Sequence, residues 1–197
     1  MRRMQRPSRI PLLWEWVILR CLGRMSGSIF QFSGASLLGW TSAYALWEPV
    51  SYFLIRAMSS ARTVGEYYDP ARMPVPVVFF GDYIYSTFIL LIAQQVIGRV
   101  LGAAASWLGA LAVFLGVQWV SDFLFYLGVT ALPRGTSRYV DFFQRYTKEV
   151  GVGALVGDSL YGIVWLALSQ ALMNGVPAWG QLVAIVLFLF GTLMVSY

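Results

Sequence analysis

The sequence predicts an all-α membrane protein: about five transmembrane helices built around a duplicated two-helix unit, in a parallel pseudo-twofold arrangement, preceded by an N-terminal interfacial helix. Three observations carry this reading. Of 197 residues, 58% are hydrophobic and 12% charged, with a mean hydropathy of +0.67, outside the range of water-soluble domains. Apolar runs near the roughly 20 residues that a helix needs to cross hydrocarbon recur along the chain, and lipid admits only helices and closed barrels. A pattern of polar residues inside those runs occurs twice.

The chain opens with a basic segment, residues 1–27. It holds six arginines (Arg2, Arg3, Arg6, Arg9, Arg20, Arg24) against one acid, Glu15, with Leu12, Trp14, Trp16 and Ile18 among them. That mixture suits a helix lying in the headgroup layer and drawn to anionic lipid. An Arg-rich, acid-poor targeting sequence has the same composition, and an uncleaved anchor is the reading preferred here.

Residues 28–197 read as one transmembrane domain. Its spans are placed at 29–55, 77–97, 107–132, 151–173 and 178–195. Pro76, the run Pro133-Arg134-Gly135 and the run Asn174-Gly175-Val176-Pro177 punctuate their ends, where helices start or stop. Pro49 falls inside the first span and predicts a kink. Trp107 and Trp179 stand near helix starts, where an indole favours the headgroup level.

The repeat shows best in two stretches, GDYIYSTFILLIAQ (81–94) and GDSLYGIVWLALSQ (157–170). Each has Gly-Asp, a Tyr three residues after the Asp and a Gln twelve after it, so Asp82, Tyr85 and Gln94 recur as Asp158, Tyr161 and Gln170 at an offset of 76. The preceding spans carry Glu48 with Tyr52 and Asp122 with Tyr126, at an offset of 74. Ordered recurrence of this kind is the mark of an internal duplication, with halves at about 29–97 and 107–173 and an extra helix at 178–195. Equivalent spans then run in the same direction, which requires a pseudo-twofold axis along the membrane normal.

All four intramembrane acids fall toward one leaflet, beneath loops 56–76 and 133–150. Helical spacing puts Tyr52 beside Glu48, Tyr85 beside Asp82, Tyr126 beside Asp122 and Tyr161 beside Asp158. A carboxyl inside a membrane marks either an ion path or a polar lock between helices. The far halves of the second and fourth spans offer only the amides Gln94, Gln95 and Gln170, so no continuous polar track crosses the bilayer, and the lock is favoured. Asp82 and Asp158 are expected to face the bundle interior, each with a partner on another helix.

Several classes fall away. The chain has no histidine and one cysteine, Cys21, which removes the usual ligands of haem iron, zinc and copper and the usual general base. No phosphate loop, activated serine or metal-ligand spacing stands in the sequence, so an enzyme, a metal and a cofactor are not expected. The +5 net charge sits at membrane flanks and does not point to nucleic acid. What remains is a structural or accessory subunit of a multi-subunit membrane assembly, acting by helix packing and by its basic-aromatic loops, with anionic lipids and other membrane subunits as partners. The alternative is a small cation- or proton-conducting channel or transporter. Contacts to lipid or partner are expected at the N-terminal arginines and at Arg138, Arg145 and Lys148. An integral membrane protein, compatible with an organelle inner membrane, is expected. Orientation is undecided, because seven basic residues stand on each side.

Overall fold

The computed structural model describes residues 27–102 and 105–195, so the N-terminal arginines and Cys21 lie outside the described residues. Seven helices follow one another there: α1 (Gly34–Met58), α2 (Arg62–Tyr67), α3 (Val75–Val100), α4 (Trp107–Ala131), α5 (Arg138–Val150), α6 (Val152–Gly175) and α7 (Ala178–Val195). No strand occurs among the described residues.

Local chemistry sets the ends of these helices. Ser33 accepts from the Ser36 N–H while Ser36 reaches back to the Ser33 N–H, a reciprocal cap that starts α1. Pro74 and Pro76 open α3, where a missing N–H costs nothing. Ser106 and Ser137 cap α4 and α5. Buried glutamines close two other ends. Gln144 Nε2 donates to the Val129 and Leu132 carbonyls at the end of α4, at 3.0 and 2.8 Å. Gln181 Nε2 donates to the Leu172 and Val176 carbonyls at the end of α6, at 3.2 and 2.8 Å. Carbonyls that would otherwise face hydrocarbon are satisfied in this way. Gly151 turns α5 into α6 with φ of 54°, a left-handed conformation that glycine adopts without strain.

Among the described residues, three helices are long and apolar enough to cross a membrane: Val75–Val100, Trp107–Ala131 and Val152–Gly175. The C-terminal helix is apolar but shorter, and α1 has 25 residues but carries Thr41, Ser42, Glu48 and Ser51. Apolar side chains cover the outside of the bundle, among them Val120, Phe123 and Leu124 on α4, and Val186, Leu187 and Phe190 on α7. In water such surfaces would be a liability; in lipid they are the solvent-matched face. The described residues are all-helical, and the long apolar helices support a protein of the membrane class.

α1 packs mainly against α6 and α7, and α3 packs mainly against α4. Between them lies an aromatic core. The Trp40 and Trp165 rings stack at 3.7 Å, Phe114 meets Trp40 edge-on at 6.3 Å, and Trp165 Nε1 donates to the Trp40 carbonyl at 2.8 Å. A second cluster (Tyr52, Val78, Phe79 and Phe142) fills the end toward the loops. The extra helix is more than a lipid-facing addition, because Gln181 is buried and accepts from Ser42 Oγ at 3.2 Å.

The segment 133–150, read from sequence as a loop, contains α5. Tyr139, Phe142, Phe143 and Tyr146 make one aromatic face, with Phe142 stacked on Tyr67 at 5.8 Å and Phe143 edge-on to Phe125 at 5.1 Å. The charged residues of α5 take the other face, as in a helix lying at an interface.

Two glycines allow the closest approaches. A Cβ on Gly39 would meet Met173 Cγ at 2.4 Å and the Ser169 carbonyl at 3.2 Å; one on Gly162 would meet Gln118 Oε1 at 3.0 Å and the Phe114 ring at 3.1 Å. Small residues at such places let helices approach within van der Waals range in lipid. Gly39→Val and Gly162→Val are each expected to destabilise the detergent-solubilised protein by about 1–3 kcal/mol, the usual cost of overpacking. Gly34→Val, where nothing stands within 4 Å, is the control. Thermal melts that rank Gly34→Val with the other two would contradict this packing.

Candidate functional site

Polar residues inside the bundle lie in two sets. At the end near residue 29, Gln94 Nε2 donates to the Ile29 carbonyl at 2.7 Å, and the Ile29 N–H donates to Gln170 Oε1 at 3.0 Å. Gln170 Nε2 also reaches the Gly27 carbonyl at 3.3 Å. The two glutamines of the repeated pattern thus grip one residue from both sides, through its backbone. Ile29 is fully buried, so without them its amide and carbonyl would be unsatisfied in an apolar setting.

The second set holds the carboxyls. Tyr161 on α6 donates to Glu48 Oε2 on α1 through a short hydrogen bond. Tyr85 on α3 donates to Asp122 Oδ1 on α4 at 2.7 Å. Helical spacing had put each tyrosine beside an acid of its own helix. Instead each Gly-Asp tyrosine crosses to the acid of the other half. A Tyr–acid pair at i,i+3 or i,i+4 shares a face, but a phenol on one helix reaches an apposed helix as easily as its own backbone neighbour. The other two tyrosines do not bind acids. Tyr52 is buried with its hydroxyl unpartnered and its ring packed on Phe79 and Tyr68, and Tyr126 is exposed beside Phe123.

Glu48 is only 1% exposed, and its Oε1 has no hydrogen-bond partner; Asp122 Oδ2 is likewise buried and unpartnered. Ser51 Oγ, at 3.3 Å from Glu48 Oε2, adds a second contact on the satisfied side. The two acids of the preceding spans therefore share one state: one oxygen on a tyrosine from the other half, one oxygen bare.

The Gly-Asp aspartates differ from each other. Asp82 accepts from Tyr67 on α2 at 2.7 Å, a partner that belongs to the connection rather than to a span. Asp158 is exposed on α6 and has no hydrogen bond among the described residues. The ten polar positions singled out from the sequence thus form two crossed pairs, one glutamine clamp and one loop-bound aspartate, while Asp158, Tyr126 and Tyr52 stand apart. The expected hydrogen-bond partner of Asp158 is not found among the described residues, although Asp122 and Asp82 stand near enough for their charges to act on it. Its helix turns Gly162, Trp165 and Ser169 inward, and Asp158 comes one turn earlier on the same face, at a level where Val156, Gly157 and Leu160 are exposed and solvent reaches it too.

Toward the loops, Glu66 takes Arg62 Nε on one oxygen and an Arg145 nitrogen on the other, each at 3.1 Å. Arg138 lies over the Tyr139 ring, and Lys148 is exposed. Glu149 accepts the Arg62 N–H at 2.7 Å and the Thr63 N–H at 2.9 Å, and so caps α2, whose N-cap Ala61 has no side-chain acceptor. Tyr67, Glu149, Gln144 and Gln181 were not singled out from the sequence; of these, Gln181, an amide in the first turn of an uncharged apolar helix, is the one a sequence signal marks.

Comparison with known proteins gives no match: no family model, no curated protein and no solved structure is significantly similar to this chain.

Hydrogen bonding from Thr63, with the Arg62 N–H added, holds the Glu149 carboxyl below the usual glutamate range. A depressed carboxyl contributes stability that is present above the ordinary value of about 4.3 and lost as pH falls through the lowered one. Amide exchange at Arg62 and Thr63 is therefore expected to lose protection on acidification below about pH 4, and Glu149→Gln is expected to reduce that protection at neutral pH. Unchanged protection in Glu149→Gln would contradict the cap.

Proposed function

We propose that the chain is a structural or accessory subunit of a multi-subunit membrane assembly, with five membrane-spanning helices (α1, α3, α4, α6 and α7) and a duplicated two-helix core. Three features support the duplication. Tyr161–Glu48 and Tyr85–Asp122 are the same contact under the offsets of 76 and 74. The pairings α1 with α6 and α4 with α3 are likewise equivalent. Trp40 and Phe114, also 74 apart, touch each other in the core, as equivalent residues near a twofold axis must.

The observation that carries the assembly reading is Asp158. It lies six residues, about 9 Å, into a helix of membrane-spanning length, and it is exposed without a partner. Ionisable groups at such depth pair with one another, with backbone carbonyls or with water-filled space, because lipid offers them nothing. A neighbouring subunit with a donor facing α6 supplies what the chain lacks. The crossed pairs support the same reading in another way: they use the buried acids to fasten helices together. In this reading the basic N-terminal segment and the α5 face meet anionic lipid and partner subunits, in a membrane such as an organelle inner membrane.

A second reading, conduction of protons or cations, is favoured by one observation, the bare buried oxygens of Glu48 and Asp122. Both readings meet in one set of measurements on Asp158→Asn and Asp158→Leu expressed in the native membrane. Leu is expected to abolish stoichiometric co-purification with other subunits while leaving the purified chain as heat-stable as wild type. Asn, which keeps much of the hydrogen bonding, is expected to retain most of it. Purification of the wild-type chain without stoichiometric partners would contradict the assembly reading. Proton or cation flux through the chain alone in liposomes, lost in Glu48→Gln, would favour conduction.

A further inference from the structure

The face of the bundle that carries α2 and α5 holds two open clefts. One, of about 480 Å³, is lined by Arg62, Thr63, Glu66, Arg72, Arg145 and Glu149. The other, of about 240 Å³, shares Glu66, Arg72 and Arg145 and adds Arg138. Four guanidinium groups therefore border one continuous depression.

Carboxylates stand among them, but most are already engaged. Glu149 spends its two oxygens on the Arg62 and Thr63 N–H groups. Asp141, on the second cleft, accepts the Gly135 N–H at 2.8 Å. Glu66 alone pairs with arginine, and its single charge is shared by Arg62 and Arg145. Arg72, which lines both clefts, has no ion pair among the described residues. The depression thus sets four arginines against three carboxylates (Glu66, Glu149 and Asp141), a net charge of +1, with Arg72 free of any ion pair among the described residues. A divalent or monovalent oxyanion is the complementary ligand, since guanidinium presents its N–H groups in a fork that matches phosphate oxygens.

The depth of the site agrees. Arg62 comes four residues after the end of α1 at Met58, and Arg72 three residues before the start of α3 at Val75. In the five-span reading both stand just beyond the ends of membrane helices, at the level of lipid phosphates. Basic pockets between membrane helices at that level hold anionic headgroups.

We propose that the cleft formed by Arg62, Arg72, Arg138 and Arg145 is a phosphate-binding site. The phosphate arrives either on an anionic phospholipid or as a free oxyanion. The site shares no residue with the crossed pairs and does not include Asp158; it deepens the anionic-lipid contact proposed above for the α5 face and rests on that reading of the membrane surface.

Native mass spectrometry of the purified full-length chain in neutral detergent tests it, with dioleoyl phosphatidic acid, dioleoyl phosphatidylcholine and inorganic phosphate as probes. The wild type is expected to retain phosphatidic acid and not phosphatidylcholine. The double variant Arg72→Gln/Arg145→Gln is expected to bind phosphatidic acid at least tenfold more weakly. Arg56→Gln, on a basic residue that lines neither cleft, is the control and is expected to bind as wild type does. Displacement of phosphatidic acid by millimolar inorganic phosphate assigns the site to a free oxyanion; persistence of the lipid assigns it to a headgroup. Equal retention of phosphatidic acid by wild type and double variant would overturn the site, as would equal retention of phosphatidylcholine by the wild type. Because the variants leave α6 untouched, loss of lipid binding with intact co-purification separates this result from the fate of the assembly reading.

Discussion

A carboxyl inside an apolar bundle needs a donor, and two tyrosines reaching across the halves of the chain provide it. Tyr161 serves Glu48 and Tyr85 serves Asp122, so the contact that makes each acid tolerable also joins α6 to α1 and α3 to α4. Much of the rest follows from that arrangement. The crossed pairs bring the stacked tryptophans of α1 and α6 into register. They leave α1 and α3, successive long helices in the chain, joined chiefly by side-chain bonds such as Trp40 Nε1 to Thr87 Oγ1 at 3.0 Å and Tyr44 OH to the Phe79 carbonyl at 2.5 Å. Neighbours in sequence are secondary neighbours in space.

Hydrophobic burial does not organise such a bundle, because lipid is as apolar as leucine. Direction comes from polar bonds and from shape. The aromatic layer gives shape, with Trp40, Phe114 and Trp165 fitted against helices that approach at Gly39 and Gly162. Polar bonds close both ends: the Gln94 and Gln170 clamp on Ile29 at one, the Glu149 cap and the Glu66 ion pairs at the other. Each such bond is modest, averaging well under about 2 kcal/mol in membrane bundles, so the register depends on several acting together.

The helical class, the long apolar helices, the repeated residues and the polar positions were legible in the sequence, because composition and spacing act locally. Three things were not. Spacing along one helix says which residues share a face but not which helix that face meets, so the tyrosines were assigned to their own helices and not across the halves. The α5 helix was hidden because its aromatics were read as a mixed loop, although Tyr139, Phe142, Tyr146 and Val150 recur at helical intervals. Asp158 looked equivalent to Asp82 by pattern, but the partner of Asp82 is Tyr67, a residue of the connection that has no counterpart at the same offset, where Phe143 stands. Positions that match in a sequence pattern need not match in what surrounds them.

The most direct measurement is a pair of double-mutant cycles on unfolding of the purified chain: Tyr161→Phe with Glu48→Gln, and Tyr85→Phe with Asp122→Asn. If the crossed bonds set the helix register, each pair shows a coupling energy of about 0.5–1.5 kcal/mol, the range of interhelical bonds in membranes. Tyr52→Phe, on the unpartnered tyrosine of α1, then shows none with Glu48→Gln. Strictly additive effects in both crossed pairs, or a coupling of Glu48 to Tyr52 in place of Tyr161, would contradict the crossed arrangement.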